Sequence, residues 1–264
     1  MSPTTPGIED ASAKLADGPA PAPASAPTSG PAEHGRRVAG MFGRIAGWYD
    51  FLNHALSLGM DLWWRYCLVR CVRRGPTGRV LDLAAGTLDV TRELLRQHPW
   101  ATVLAMDFSL PMLVKGKPKL RGSRAGRALP ALADGRCLPL ADASVDAVTI
   151  AFGIRNILPR SDAYAEILRV LAPGGRLCIL EFGSGRRAVW KGLYNFYLHR
   201  VLPALGKVFS GDAKAYTYLA DTIAAFPEPG ELAAELARAG FTRVSWRPML
   251  SGIVAIHVAT KPGR

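Results

Sequence analysis

The chain has 264 residues, 49% of them hydrophobic and 20% charged, with a net charge of +12 and a pI near 10.0. Four cysteines are too few to staple a chain of this size, and no apolar run reaches the roughly 18–20 residues of a membrane-spanning helix, so disulfide scaffolds, collagen and helical membrane proteins are excluded. What is left is one globular domain with extensions, whose positive excess asks for an anionic partner: nucleic acid, a membrane surface or a phosphorylated substrate.

Residues 1–35 hold seven prolines among alanines, serines and glycines and no aromatic side chain. Such a composition cannot bury enough surface to offset the entropy of ordering, so it reads as a disordered tail. It lacks the basic start and apolar run of a secretory signal, which makes the cytoplasm the expected compartment and its cysteines reduced. Lys14 against Glu9, Asp10, Asp17 and Glu33 gives the tail −3, so the body, residues 36–264, carries +15.

Residues 36–74 read as helical and rich in aromatic side chains, with breaks expected at Asn53 and Gly59. Cys67 and Cys71 fall on one helix face as partly buried thiols; no His-Cys cluster completes a metal site around them, and none is expected. Cys137 and Cys178 read as packing residues. After the Pro76-Thr77-Gly78 turn the pattern becomes strand–helix alternation. Strands are expected at 79–83, 101–106, 129–133, 145–151 and 176–182, with helices at 88–97, 110–117 and 162–171, the last stopped by Pro173-Gly174-Gly175. Residues 186–225 read as a helical insertion, 231–239 as a helix closed by Gly240, and 241–247 and 252–260 as the last strands. The alternation implies an α/β fold: a seven-stranded, mostly parallel sheet with helices on both faces, plus N-terminal helices over 36–75 and the insertion.

The first strand runs into Ala84-Ala85-Gly86-Thr87, a loop that opens a helix, and the second strand ends at Asp107, 25 residues after Asp82. A glycine there lets backbone N–H groups approach a ligand at the carboxyl edge of the sheet, and an acid ending the next strand can accept from both hydroxyls of a ribose. The plain alternative is a strand–turn–helix with a surface aspartate. No further glycine follows Gly86 in the loop, which disfavours a dinucleotide.

These segments, with Asp134-Gly135, Phe152-Gly153-Ile154-Arg155-Asn156 and Arg169-Val170-Leu171-Ala172-Pro173-Gly174-Gly175-Arg176, resemble a class I S-adenosylmethionine-dependent methyltransferase. Phe42, Tyr49-Asp50, Asn53, Leu58-Gly59 and Trp64-Arg65, together with Tyr216-Thr217-Tyr218-Leu219 and Ser251-Gly252-Ile253-Val254-Ala255, narrow the resemblance to the ubiquinone/menaquinone biosynthesis C-methyltransferases over about residues 40–260. It implies S-adenosylmethionine as cofactor, held by Asp82, Gly86, Thr87 and Asp107, with Asp134 and Gly135 at the adenine and Ala151 at the end of strand four. Three positions depart from the family pattern: Asp134 stands for asparagine, Ala151 for serine and Leu88 for the loop's second glycine. Leu88 either crowds the methionine end of the cofactor or points away into the helix that it begins.

The implied reaction is methylation of a ring carbon of a prenylated quinol. Arg155 and Asn156 are the expected catalytic pair that orients and polarises the quinol oxygen, with Tyr49, Asp50 and His257 as candidate bases. For Arg155 the competing reading is a structural ion pair with Asp146 or Glu181; for His257 it is a satisfied core histidine. RNA methylation and a cofactor-binding but silent protein are the alternative functions. A prenyl tail implies peripheral contact with an anionic membrane surface rather than nucleic acid. The aromatic helices at 41–66 and the basic runs Lys115–Arg127 and Arg65–Arg79 are candidates for that contact, and a homodimer through the same helices is the other use for them.

Overall fold

The computed structural model describes residues 31–122, 125–183, 218 and 221–263. Residues 1–30 of the expected 1–35 tail and almost all of the expected insertion lie outside the described residues, whereas residues 31–35 of that tail belong to a helix that begins at Pro31. Seven strands form one sheet in the order β3-β2-β1-β4-β5-β7-β6. They are β1 (Arg79–Leu83), β2 (Thr102–Asp107), β3 (Ala128–Leu132), β4 (Val145–Ala151), β5 (Leu171–Phe182), β6 (Thr242–Met249) and β7 (Val254–Thr260). The first five run parallel, and β7 enters antiparallel between β5 and β6. The chain steps outward from β1 to β3 and then returns to place β4 on the other side of β1. The crevice above the carboxyl ends of β1 and β4 is therefore the switch point where open α/β sheets receive ligands.

Helices α1 (Pro31–Leu56), α2 (Met60–Val69), α3 (Asp89–Gln97), α4 (Leu110–Gly116), α5 (Arg160–Val170) and α6 (Pro229–Arg238) are described around the sheet. On one face Trp64, Leu68 and Val69 of α2 and Val90, Leu94 and Leu95 of α3 pack on Val80, Val103, Ala147 and Leu180. On the other, Ile167 and Val170 of α5 and Leu232 and Leu236 of α6 pack on Leu81, Val148 and Ile179. Cover on both sides explains why β4 is buried at six successive positions and is apolar on both of its faces, Asp146 and Thr149 excepted, rather than alternating.

Three further expectations change here. Asn53 does not break the first helix, which runs unbroken to Leu56; the break comes at Leu58-Gly59, both in the left-handed region (φ 52° and 76°). Pro173-Gly174-Gly175 does not end one element before another starts. β5 already begins at Leu171, and the three residues form a bulge inside it, with Gly174 at φ 75° and a Cβ on Gly175 bound to meet the Ala172 and Asp146 carbonyl oxygens at 2.8 and 2.9 Å. Cys178 is buried as expected, whereas Cys137, expected to pack, is exposed. Burial holds the thiols of Cys67 and Cys71 above their ordinary range.

The loop from β1 to α3 resolves the two readings of Leu88. Left-handed backbone recurs at alternate residues, Ala84, Gly86 and Leu88 (φ 56°, 53° and 65°), a repeat that turns successive N–H groups toward one side. Leu88 therefore occupies a conformation that favours glycine, which accounts for the glycine of the family pattern at this position. Its side chain is fully buried against Ala85, Ala105 and Leu113, away from the crevice. Gly116 makes the room, because a Cβ there would lie 2.7 Å from Leu88 Cγ and 2.5 Å from the Thr87 carbonyl carbon. Burial of the leucine, worth about 1.5–3 kcal/mol, offsets a left-handed penalty of about 1–2 kcal/mol. Leu88→Gly should then destabilise the protein by about 1–3 kcal/mol in urea melts, less than the roughly 2–5 kcal/mol usual for truncating a buried leucine. A loss at the top of that usual range would contradict a strained loop.

Candidate functional site

The carboxyl ends of β1, β2 and β4 bring most of the expected cofactor residues to one edge. Asp107 closes β2 with its carboxylate turned back under the loop, where it accepts from the Gly86 N–H at 2.8 Å and from the Ser109 N–H at 2.8 Å. Burial pushes its pKa up despite these donors. Beside it, a cavity of about 450 Å³ opens between α1 and the β2–α4 turn, lined by Ala39, Gly40 and Gly43 on one side and Phe108, Ser109 and Leu110 on the other. That volume falls within the roughly 300–1,000 Å³ of small-ligand sites. The buried Ser109 hydroxyl has no hydrogen-bond partner among the described residues. An acid at a strand end, a bare glycine loop, a cavity of this size and an orphaned hydroxyl together fit a nucleoside such as that of S-adenosylmethionine. Tyr49 and Asp50 of α1 were expected at the site, but Ala39, Gly40 and Gly43 of the same helix were not, and their only signal in the sequence is their small-residue spacing.

Thr87 is engaged from two directions. Its hydroxyl donates to Asp50 Oδ1 of α1 at 2.5 Å and accepts from Lys119 Nζ at 3.1 Å. Lys119 also pairs with Asp50 and Asp89, each at 2.7 Å. Asp50 is thus committed to holding α1 on the glycine loop. Lys119, read in the sequence as one of a run of surface cations, is the pin of this cluster; its partners stand 30 to 69 residues away, which no local pattern reveals.

Asp82 is placed differently from expectation. It faces α3, not the crevice, and is buried with both carboxylate oxygens taken, by the Thr91 hydroxyl at 2.6 Å and the Thr149 hydroxyl at 3.1 Å. It supports the loop from beneath. Asp134 and Gly135 follow β3, where Arg136 clamps the Asp134 carboxylate through Nε at 3.0 Å and Nη2 at 2.6 Å and holds its pKa below the ordinary range.

Across the crevice β4 ends at Ala151 and turns sharply. Phe152 is left-handed (φ 56°), and a Cβ on Gly153 would strike Ala84 Cβ at 2.5 Å, so only glycine lets this turn press against the glycine loop. The turn delivers Arg155 and Asn156, both buried. Arg155 Nη1 donates to Glu181 Oε1 at 2.5 Å and to the Phe152 carbonyl at 2.7 Å, and its guanidinium lies 5.8 Å from the Phe182 ring centre. Of the two structural partners considered for it, Glu181 is the one found; Asp146 instead accepts the Thr77 and Gly78 N–H groups. Among the described residues Arg155 Nε and Glu181 Oε2 are buried without partners, as is Trp64 Nε1 in the cluster of Trp64, Phe152 and Phe182. Asn156 Oδ1 accepts from the Tyr218 hydroxyl at 3.2 Å.

Tyr49 lies on α1, but its side chain is outside the described residues. His257 faces α6 rather than the turn. Its Nε2 contacts the Pro229 carbonyl at 2.9 Å, and burial pushes its pKa down to about 4, so it is a neutral core histidine. Among the described residues no group of three or more His, Cys, Asp or Glu could hold a metal.

Burial raises the pKa of Asp82 to about 7 from 3.8. The folded state therefore keeps a proton that the unfolded chain releases, and stability falls as pH rises between about 4 and 7. Asp82→Asn should remove this slope. The stability of the variant relative to wild type should climb across that interval, by up to ~4 kcal/mol, and level off above it. Urea melts at several pH values measure the difference, and parallel profiles would contradict a buried, protonated Asp82.

The fold and the sequence both have close counterparts. A SAM-dependent methyltransferase from Thermotoga maritima superposes with a TM-score of 0.62 at 16% identity, covering 85% of this chain and 99% of that one. Phosphoethanolamine N-methyltransferase 2 of Haemonchus contortus, solved with S-adenosyl-L-methionine, gives 0.57 at 15%, covering 81% and 59%. At such identities the likeness is one of fold. The ubiquinone/menaquinone biosynthesis C-methyltransferase UbiE of Geobacter sulfurreducens is 45% identical over 87% of this chain and 90% of its own. The demethylmenaquinone methyltransferase of Mycobacterium tuberculosis is 43% identical over 87% and 94%. The model of the ubiE/COQ5 methyltransferase family matches residues 32–261, and the chain belongs to that family.

Proposed function

We propose that this protein transfers a methyl group from S-adenosylmethionine to a ring carbon of a prenylated quinol, demethylmenaquinol or the related benzoquinol of ubiquinone biosynthesis. The observation that carries this reading is the buried Arg155-Asn156 turn, pressed against the glycine loop and backed by Glu181, in a chain 43–45% identical to relatives named for quinone methylation. The cofactor, when bound, supplies an electrophilic methyl on a sulfonium. Gly86, Thr87 and Asp107 would hold its ribose and methionine end, Asp134 and Gly135 its adenine, with Ala151 at the floor; Asp82 acts through the loop rather than by touching it.

A quinol carbon becomes nucleophilic when a neighbouring phenol gives up its proton, and the phenolate then needs a positive partner. Arg155 suits that task, since a guanidinium stays protonated throughout the physiological range and acts by charge and orientation, not as a base. The Glu181 carboxylate and the Phe152 carbonyl fix the plane of the guanidinium. That leaves Nε, buried with no hydrogen-bond partner among the described residues, to meet an oxygen. Asn156, held by Tyr218, orients the second polar contact. Fixed groups of this kind lower the barrier by alignment as well as by charge.

The described residues include no helix long and apolar enough to cross a membrane. A substrate tail in the bilayer then requires a peripheral enzyme at the inner face of the cytoplasmic membrane. A homodimer is compatible with the same reading.

Purified protein should methylate a short-chain demethylated quinol and leave RNA unmodified. Arg155→Ala should cut turnover by roughly a hundredfold or more while S-adenosylmethionine affinity, measured by calorimetry, stays within a few fold. Loss of cofactor binding with turnover preserved at saturating cofactor would overturn the assignment of Arg155, and methylation of RNA in place of quinol would overturn the function.

A further inference from the structure

Helix α2 is apolar on two sides. Its inner side, Trp64, Leu68 and Val69, is used by the core. Its outer side is not: Leu58 at the α1–α2 corner is 89% exposed, Leu62 50%, Trp63 49% and Tyr66 37%. A helix apolar all round is one covered on both sides. Leu58 makes the point most sharply, because it holds a left-handed backbone (φ 52°) yet gains no packing from it.

The charge around this face decides what covers it. The guanidinium groups of Arg70 and Arg96 lie 5.9 and 5.6 Å from the Tyr66 ring centre, and Arg70, Arg73, Arg74, Arg92 and Arg96 are all exposed beside it or beyond it. The nearby acids are spent. Asp61 is buried against Arg65, His54 and Ser57, and Glu93 is taken by Arg96 and Gln97. The Lys115–Arg127 run offers less, since Lys119 is tied to Asp50 and Asp89, and Arg127 donates to the Pro99 and Ala101 carbonyls. A leucine tip, a tryptophan and a tyrosine ringed by arginines, of which Arg96 alone is paired with an acid among the described residues, match the layered chemistry of an anionic bilayer: acyl chains, interface, phosphate.

We propose that the outer face of α2, from Leu58 to Tyr66 with Arg70, Arg73 and Arg74, docks this protein on anionic membranes. The choice of lipid as partner rests on the prenylated-quinol reading. Trp64, on the inner side of the same helix, packs on Phe152 at the start of the Arg155 turn, so a bilayer on the outer face stands one helix away from the site.

The test is sedimentation of the full chain with phosphatidylcholine vesicles, with and without phosphatidylglycerol, alongside methylation of a short-chain quinol free in solution. The double variant Leu58→Ser/Trp63→Ser should bind vesicles roughly tenfold or more weakly and methylate the soluble quinol as wild type does. Arg70→Glu/Arg74→Glu should lose the preference for phosphatidylglycerol, an arm that decides the matter even if the first variant misfolds. Wild-type binding by both variants would overturn the proposal, as would a wild-type protein that ignores vesicles. It would also fall if the double serine variant dissociated a dimer and kept vesicle binding, since the face would then join two copies. Vesicle binding that the variants lose, without methylation of any quinol, would support the docking face and reject the function.

Discussion

The hydrogen bond from the Gly86 N–H to the buried Asp107 carboxylate ties the ends of β1 and β2 together, and the rest of the site is arranged around it. An acid buried so deeply needs donors to offset its lost hydration, and the loop supplies one only because Gly86 can take a left-handed backbone. With that turn set, Ala84 meets Gly153 of the β4 turn, Thr87 meets Asp50 and Lys119, and Leu88 enters the α4 interface. The glycine loop, proposed above to hold the cofactor, is thus also the joint where α1, α4 and the β4 turn converge.

The second anchor is the Arg155–Glu181 pair. Two opposite charges taken out of water recover their desolvation only when geometry and supplementary hydrogen bonds are good, and such pairs seldom add net stability. Here the Phe152 carbonyl, the Phe182 N–H and the Phe182 ring all contribute, yet one nitrogen and one oxygen remain unmatched. A fold that tolerates this at the ligand edge of its sheet gains orientation of a permanent cation instead, which is what stabilising an anionic ring oxygen requires.

The sheet was legible because its central strands are short, predominantly apolar stretches, as in 79–83 and 145–151. Asp107 and the loop could be read from spacing alone. The course of α1 past Asn53 could not, since asparagine in a helix interior is a weak signal easily overridden by packing. Nor could the bulge in β5, because Pro-Gly-Gly spells a stop whether the strand ends or only bends. Asp50, Lys119 and Glu181 acquire their partners through tertiary closure, across 26 to 69 residues, and no periodicity encodes such contacts. Asp82 was misplaced for a related reason: the alternation of side chains along β1 sends it to the α3 face, where two threonines await it, while Leu81 and Leu83 pack into the core on the opposite face.

Everything proposed for the chemistry converges on a carbon nucleophile aligned by Arg155 at the edge of the glycine loop. The most direct measurement is therefore the position of the transferred group: incubation with S-adenosylmethionine carrying a deuterated methyl and a short-chain demethylated quinol, followed by mass spectrometry and NMR of the product. The account predicts one labelled methyl on the ring carbon adjacent to a hydroxyl, formed in step with one equivalent of S-adenosylhomocysteine. A label on a quinol oxygen, or S-adenosylhomocysteine released with no methylated quinol, would contradict it.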